Sequence, residues 1–82
     1  MVYPREVLNR LKWTEGESLE ETVIWYIHRG APGDLASVSG SEILSLGPGF
    51  FQKEDAYIPY HRIVRIEYRG RTIFEKPGQR LE

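Results

Sequence analysis

Cysteine is absent from this chain. Its absence removes a disulfide scaffold, a thiolate metal site and a cysteine nucleophile together. No apolar run is long enough to cross a membrane, and the opening Met-Val-Tyr-Pro-Arg-Glu has neither the charged nor the apolar region of a signal peptide. The expectation is a soluble, cytoplasmic protein with no membrane partner. Amide side chains are also scarce, with Asn9 the only asparagine and two glutamines, a thinness of thermolabile residues that fits a hot-growing source. The signatures G-x-x-x-x-G-K-[ST], G-x-G-x-x-G and H-E-x-x-H are all missing, so triphosphate, dinucleotide and zincin readings have no support. Two histidines 33 residues apart make a poor metal set even with Asp34 added. Neither a metal nor a cofactor is expected.

A strong excess of charge is lacking too, the net being -1 over 82 residues, which argues against a generic nucleic-acid coat. The distribution is uneven. Residues 1–27 carry three basic and five acidic groups, 28–55 two and four, and 56–82 six and three, giving -2, -2 and +3. A local basic patch on a near-neutral body suits a protein that reads an end or a small site. A solvated hairpin face is the plainer explanation of the same asymmetry. The length allows one domain, residues 1–82, with an ordered core over about 4–76 and no room for a large active-site cavity.

Residues 4–13 predict a short amphipathic helix, with Pro4 at its first position, Val7, Leu8 and Leu11 on one stripe, and Val2 stapled onto Val7. The β-branched and aromatic stretch 19–28 predicts a central strand. Period 2 puts Thr22, Ile24, Tyr26 and His28 on one face and Val23, Trp25, Ile27 and Arg29 on the other, both largely buried. Gly30 to Asp34 must be a loop, followed by a short strand from Leu35 to Val38. Ser39-Gly40-Ser41-Glu42 fits a capping box, with Ile43, Leu44 and Leu46 as the apolar side of a second, short helix stopped by Gly47 and Pro48. Phe50-Phe51 and Tyr57-Ile58 predict a hairpin around residues 52–55. Ile63–Tyr68 and Arg71–Lys76 predict another around Arg69-Gly70, with Ile66 opposite Ile73 and with Arg65 and Phe74 on the far face. The tail 77–82 is expected to fray.

The most informative repetition is small. Both histidines precede an arginine, His28-Arg29 and His61-Arg62, each pair beside a turn former, Gly30 and Pro59. On composition alone this arises roughly 1 time in 100. A guanidinium forks onto phosphate oxygens, an imidazole adds a directional donor, and glycine-rich backbone such as 30–33 can turn free amides inward. Tyr26, Tyr57 and Tyr60 are candidates to stack a base or bond a ribose, as single-stranded RNA is read, although each has an equally simple role at a core edge. Two histidines and an arginine also suffice as base, acid and cation for opening a cyclic phosphodiester. The two-histidine phosphoesterase signature requires Ser or Thr two residues after each histidine, and Gly30 and Ile63 stand there instead.

The segment Ile58-Pro59-Tyr60-His61-Arg62-Ile63, followed by Ile66, Gly70 and Ile73-Phe74, resembles the I-P-x-H-R-[IV] motif of a family of small archaeal proteins known as domain of unknown function 504. Residues 8–13, Tyr26-Ile27-His28-Arg29-Gly30 and Ser41-Glu42-Ile43 resemble its other landmarks in the same order, so the likeness spans residues 5 to about 76. The family has been proposed to recognise RNA ends bearing a cyclic phosphate, because related domains are fused to RNA-processing modules. The resemblance implies an RNA partner, with RNA-processing proteins as further partners. It places His28, Arg29, His61 and Arg62 in the binding site and Tyr60 and Arg65 nearby. The family commonly has a tryptophan near the final strand, where this chain has Phe74.

The expectation is therefore a small α+β domain. Its sheet is twisted and mainly antiparallel, of four to six strands, open or curled towards a barrel, with one N-terminal helix and one short second helix. The expected function is binding of a 2',3'-cyclic or terminal phosphate at a single-stranded RNA end by His28, Arg29, Gly30, Tyr60, His61, Arg62 and Arg65. Two alternatives stand beside it. One is an RNA phosphoesterase with His28 and His61 as acid and base, less favoured than plain recognition. The other is a protein-interaction module whose His-Arg pairs only anchor loops.

Overall fold

The computed structural model describes residues 4–76. Helix α1 spans Pro4–Trp13 and buries Val7, Leu8 and Leu11, the predicted stripe. Glu6 in its first turn and Arg10 and Lys12 in its last complement the helix dipole. The proposed Val2 staple and the fraying of 77–82 lie outside the described residues.

Seven strands follow: β1 Thr22–Ile27, β2 Leu35–Ser39, β3 Ile43–Leu46, β4 Phe50–Lys53, β5 Ala56–Pro59, β6 Ile63–Tyr68 and β7 Arg71–Glu75. They form two antiparallel sheets, β2-β1-β6-β7 and β3-β4-β5, which do not close into a barrel. The architecture is α+β, with α1 in contact with β3, with β7, and with the 3-10 turns at Leu19–Glu21 and Tyr60–Arg62. The core collects Leu8, Leu11, Ile24, Tyr26, Val38, Phe51, Ile58, Ile63 and Ile66 from the helix and both sheets. No helix among the described residues is long and apolar enough to cross a membrane.

Three local expectations are corrected. The strand expected over 19–28 starts only at Thr22, because Ser18 caps a 3-10 turn, its Oγ accepting from the Glu20 amide at 3.3 Å. Only its inner face, Thr22, Ile24 and Tyr26, is buried, while Val23 on the other is 36% exposed. The capping box at Ser39 forms with both its bonds, but it starts a single 3-10 turn, Gly40–Glu42, and no second α-helix follows. Ile43–Leu46 instead pairs with β4, Leu46 opposite Phe51.

The third correction concerns the last hairpin. Arg69 and Gly70 both have positive φ, 50° and 81°, the type I′ geometry that matches strand twist. A register shift between Ile66 and Glu67 then sets Phe74, rather than Ile73, opposite Ile66. The extra residue of a bulge moves later side chains across the sheet, so Phe74 joins the core edge instead of the far face.

Candidate phosphate-binding site

The I-P-Y-H-R-I segment is the link between the two sheets. Ile58 in β5 points into the core, and Pro59, which ends the strand with φ -62°, leads into the 3-10 turn Tyr60–Arg62. The Ile63 amide closes that turn onto the Tyr60 carbonyl. Ile58, Tyr60 and Ile63 are buried, whereas His61 and Arg62 are exposed. Three anchors thus fix a turn whose two remaining side chains must point to solvent.

The second pair sits where β1 ends. His28 and Arg29 are exposed at the start of a loop closed by its own backbone: the His28 amide donates to the Asp34 carbonyl at 2.8 Å, and the Ala31 amide to the His28 carbonyl at 3.2 Å. Gly30 at φ 95° and Gly33 at φ 67° permit the reversal. The His28 ring rests edge-on against Tyr26, with centroids 6.1 Å apart.

Strand register brings the two pairs to one end of the four-stranded sheet. β1 and β6 are antiparallel with Tyr26 opposite Ile63, so each histidine stands two residues beyond the same paired position. Among the described residues, neither Arg29 nor Arg62 forms an ion pair with a carboxylate. No carboxylate among these residues occupies the donors of either guanidinium group.

The other expected contacts are arranged differently. Tyr60 is only 8% exposed, its hydroxyl donates to the Gly47 carbonyl at 2.8 Å, and its ring lies 6.3 Å from that of Phe51. Burial raises its phenol pKa, and the nearby Arg5 charge partly offsets that shift. The ring is committed to the core. Arg65 lies on the outer face of the four-stranded sheet between Glu67 and Glu75, at 3.8 and 3.9 Å, with its Nε buried and without a hydrogen-bond partner among the described residues. The Gly30 amide points to the Asp34 carboxylate at 3.4 Å, so part of the expected amide cradle is already turned towards an anion of the chain itself.

Two cations escaped the sequence reading. Lys76 donates its Nζ to the His61 carbonyl at 3.0 Å, which brings a positive charge against the turn from the end of β7. Arg5, in the first turn of α1, is close enough to act on the Tyr60 phenol. Neither lies near the His-Arg pairs in sequence. Only the strand-end position of Lys76, at the close of the basic third of the chain, hinted at it. A concavity lined by Glu42, Lys53, Glu54 and Asp55 lies at the opposite tip of the β4–β5 hairpin. There Lys53 and Asp55 pair at 2.6 Å, raising the lysine pKa and lowering that of the carboxyl through their hydrogen bond. Its acidic balance is wrong for a phosphate. No group of three or more potential metal ligands occurs among the described residues.

Residues 1–76 match the family model described as the MJ1316 RNA cyclic group end recognition domain. The chain belongs to this family. Its relatives include archaeal proteins described as UPF0248 proteins. That of Thermococcus onnurineus is 42% identical over 72 residues, covering 87% of this chain and 82% of the relative. That of Methanococcus vannielii is 38% identical over 74 residues, covering 88% and 89%, and that of Thermococcus sibiricus is 35% identical over 77 residues, covering 93% and 87%. No solved structure matches the chain.

Proposed function

We propose that this chain captures an RNA end, holding a 2',3'-cyclic or terminal phosphate between Arg29 and Arg62 while His28 and His61 donate to its oxygens or to the ribose. The observation that carries the reading is the β1–β6 register, which sets both pairs beyond one paired position, Tyr26 and Ile63, at a shared end of the sheet. The description of the family, RNA cyclic group end recognition, points the same way. Two guanidinium forks supply charge and geometry for non-bridging oxygens, and Lys76 adds positive potential behind the His61 turn. Tyr60 acts from beneath, bracing the turn through Gly47 instead of stacking on a base. Gly30 contributes the loop reversal, and Arg65 remains with its two carboxylates.

The test is a titration of one short single-stranded RNA carrying a 2',3'-cyclic phosphate, a 3'-phosphate or a 3'-hydroxyl, at fixed salt. Tighter binding of the cyclic end than of the hydroxyl end by about tenfold, or about 1.4 kcal/mol, is expected. Equal affinity for all three ends, or no binding, overturns the reading. Recovery of the RNA after long incubation separates recognition, which returns the end unchanged, from hydrolysis, which opens the ring.

A further inference from the structure

The outer face of the three-stranded sheet carries two exposed aromatic rings close in the chain to the His61-Arg62 turn: Tyr57, one of the tyrosines the sequence offers for stacking, and Phe50, to which it assigns no such role. Phe50 is 40% exposed and Tyr57 62%. Their centroids are 5.1 Å apart with planes at 86°, an edge-to-face pair that leaves a ring face open to a further aromatic partner. Strand alternation explains their position. Phe51 and Ile58, paired across β4 and β5, are buried, so Phe50, Gln52, Tyr57 and Pro59 take the other side. Ser45 joins them from β3, its hydroxyl 3.4 Å from the Gln52 side-chain oxygen.

Three features select the occupant. First, the face is continuous with the basic turn: Phe50 is the cross-strand partner of Pro59, two residues before His61. An antiparallel pair separates Cα atoms by about 5 Å, and two residues add at most about 7 Å. Second, the residues alternating onto this face, Ser45, Phe50, Gln52, Tyr57 and Pro59, carry no charge, so nothing on it repels a polyanion. The outer face of the other sheet, around Trp25, holds Glu67 and Glu75. Third, flat rings interleaved with hydroxyl and amide groups are the surface on which unpaired bases stack and are bonded at their edges.

We infer that Phe50 and Tyr57 form a stacking platform for the base next to the captured phosphate, so that the ligand is an unpaired RNA end and not the blunt end of a duplex. The inference rests on the phosphate-end reading and adds a second contact to the same site. A terminal base paired at a blunt end offers only its outer face and keeps its Watson–Crick edge engaged with the partner strand, whereas an unpaired base can turn its face to the rings and its edge to the Ser45 and Gln52 groups.

The test uses RNA ending in a 2',3'-cyclic phosphate with 2-aminopurine as its last base, either single-stranded or closed as a blunt hairpin, alongside the same single strand ending in a hydroxyl. The expected result is quenching of the single-stranded probe on binding. Phe50→Leu and Tyr57→Leu, which keep apolar cover without a ring, should relieve the quench and weaken binding about tenfold. Their melting temperatures should change little, and their preference for the cyclic over the hydroxyl end should remain. The blunt hairpin should bind more weakly than the single strand. Wild-type quench and affinity in both leucine variants, with cyclic preference intact, overturn the platform and leave phosphate capture standing, with the aromatic face then free for a protein partner. No preference of the wild-type chain for the cyclic end overturns the phosphate reading itself, and failure of the RNA to bind at all removes both.

Discussion

The Tyr60 hydroxyl donates to the Gly47 carbonyl at 2.8 Å, tying the turn that presents His61 and Arg62 to the β3–β4 connection. The Tyr60 amide reaches the Gly49 carbonyl at 3.2 Å, so this residue is fastened to that connection by side chain and backbone alike. Tyr60→Phe keeps the ring against Phe51 and removes one part-buried hydrogen bond. A loss of about 1 kcal/mol is expected, a fall in melting temperature of roughly 4–8 °C for a domain of this size. RNA-end affinity should be unchanged, since the ring makes no contact with the ligand in this account. Thermal unfolding and the three-end titration check the two halves.

Alkaline pH should weaken the fold through the same residue. Burial raises the Tyr60 pKa above its ordinary value of 10.0. The folded state therefore holds this proton more tightly than the unfolded chain, and the stability is fully present below about pH 10 and lost as pH rises through the raised value. Over that window the stability of Tyr60→Phe should decline less than that of the wild-type chain. Denaturant titrations at a series of pH values between 9 and 11 provide the comparison.

Gly40 is buried at the closest approach between two 3-10 turns. A Cβ built on it would lie 1.8 Å from the Leu19 carbonyl oxygen and 2.1 Å from the Thr22 hydroxyl, which itself donates to that carbonyl at 2.5 Å. Because the obstacle is partly the backbone of the Leu19–Glu21 turn, the two turns would have to separate. Gly40→Ala should cost about 1–3 kcal/mol, whereas Gly49→Ala, which meets nothing within 4 Å, should change stability little. Paired melting curves of the two variants are the measurement.

Arg29→Ala and Arg62→Ala should each weaken binding of the cyclic-phosphate RNA and lower the salt dependence of log K by about one unit of slope. Arg69→Ala removes an exposed cation already paired with Glu21 at 2.8 Å and serves as the control for bulk charge. A salt slope that drops equally in all three variants would reduce the two site arginines to general electrostatics. Affinity measured at several salt concentrations decides it.

Much of the fold was legible because its signals are local. The stripe Val7, Leu8, Leu11 behind Pro4 marked α1, and the alternation of 63–68 and 71–76 around Arg69-Gly70 marked the last hairpin with its I′ turn. The second helix was misread for a reason that is also local. A capping box satisfies the first amides of a turn and says nothing of how far the turn continues. Whether Ile43–Leu46 coils or extends depends on the strand that pairs with it, and the pairing of Leu46 with Phe51 depends on the hairpin of 50–59 being in place.

At the candidate site the division is similar. Residue chemistry singled out His28, Arg29, His61 and Arg62, because the recurrence of two dipeptides is a property of the chain and needs no coordinates. That both pairs stand at one end of one sheet followed only from the β1–β6 register, which includes a shift between Trp25 and Tyr26. The inward turn of Tyr60, the approach of Lys76 to His61 and the outward Phe50–Tyr57 pair are likewise tertiary. Period-2 alternation states which side chains share a face of a strand. Which face is covered, and by what, is decided when two sheets and a helix enclose a common core, because burial is a property of the assembled surface and not of the strand.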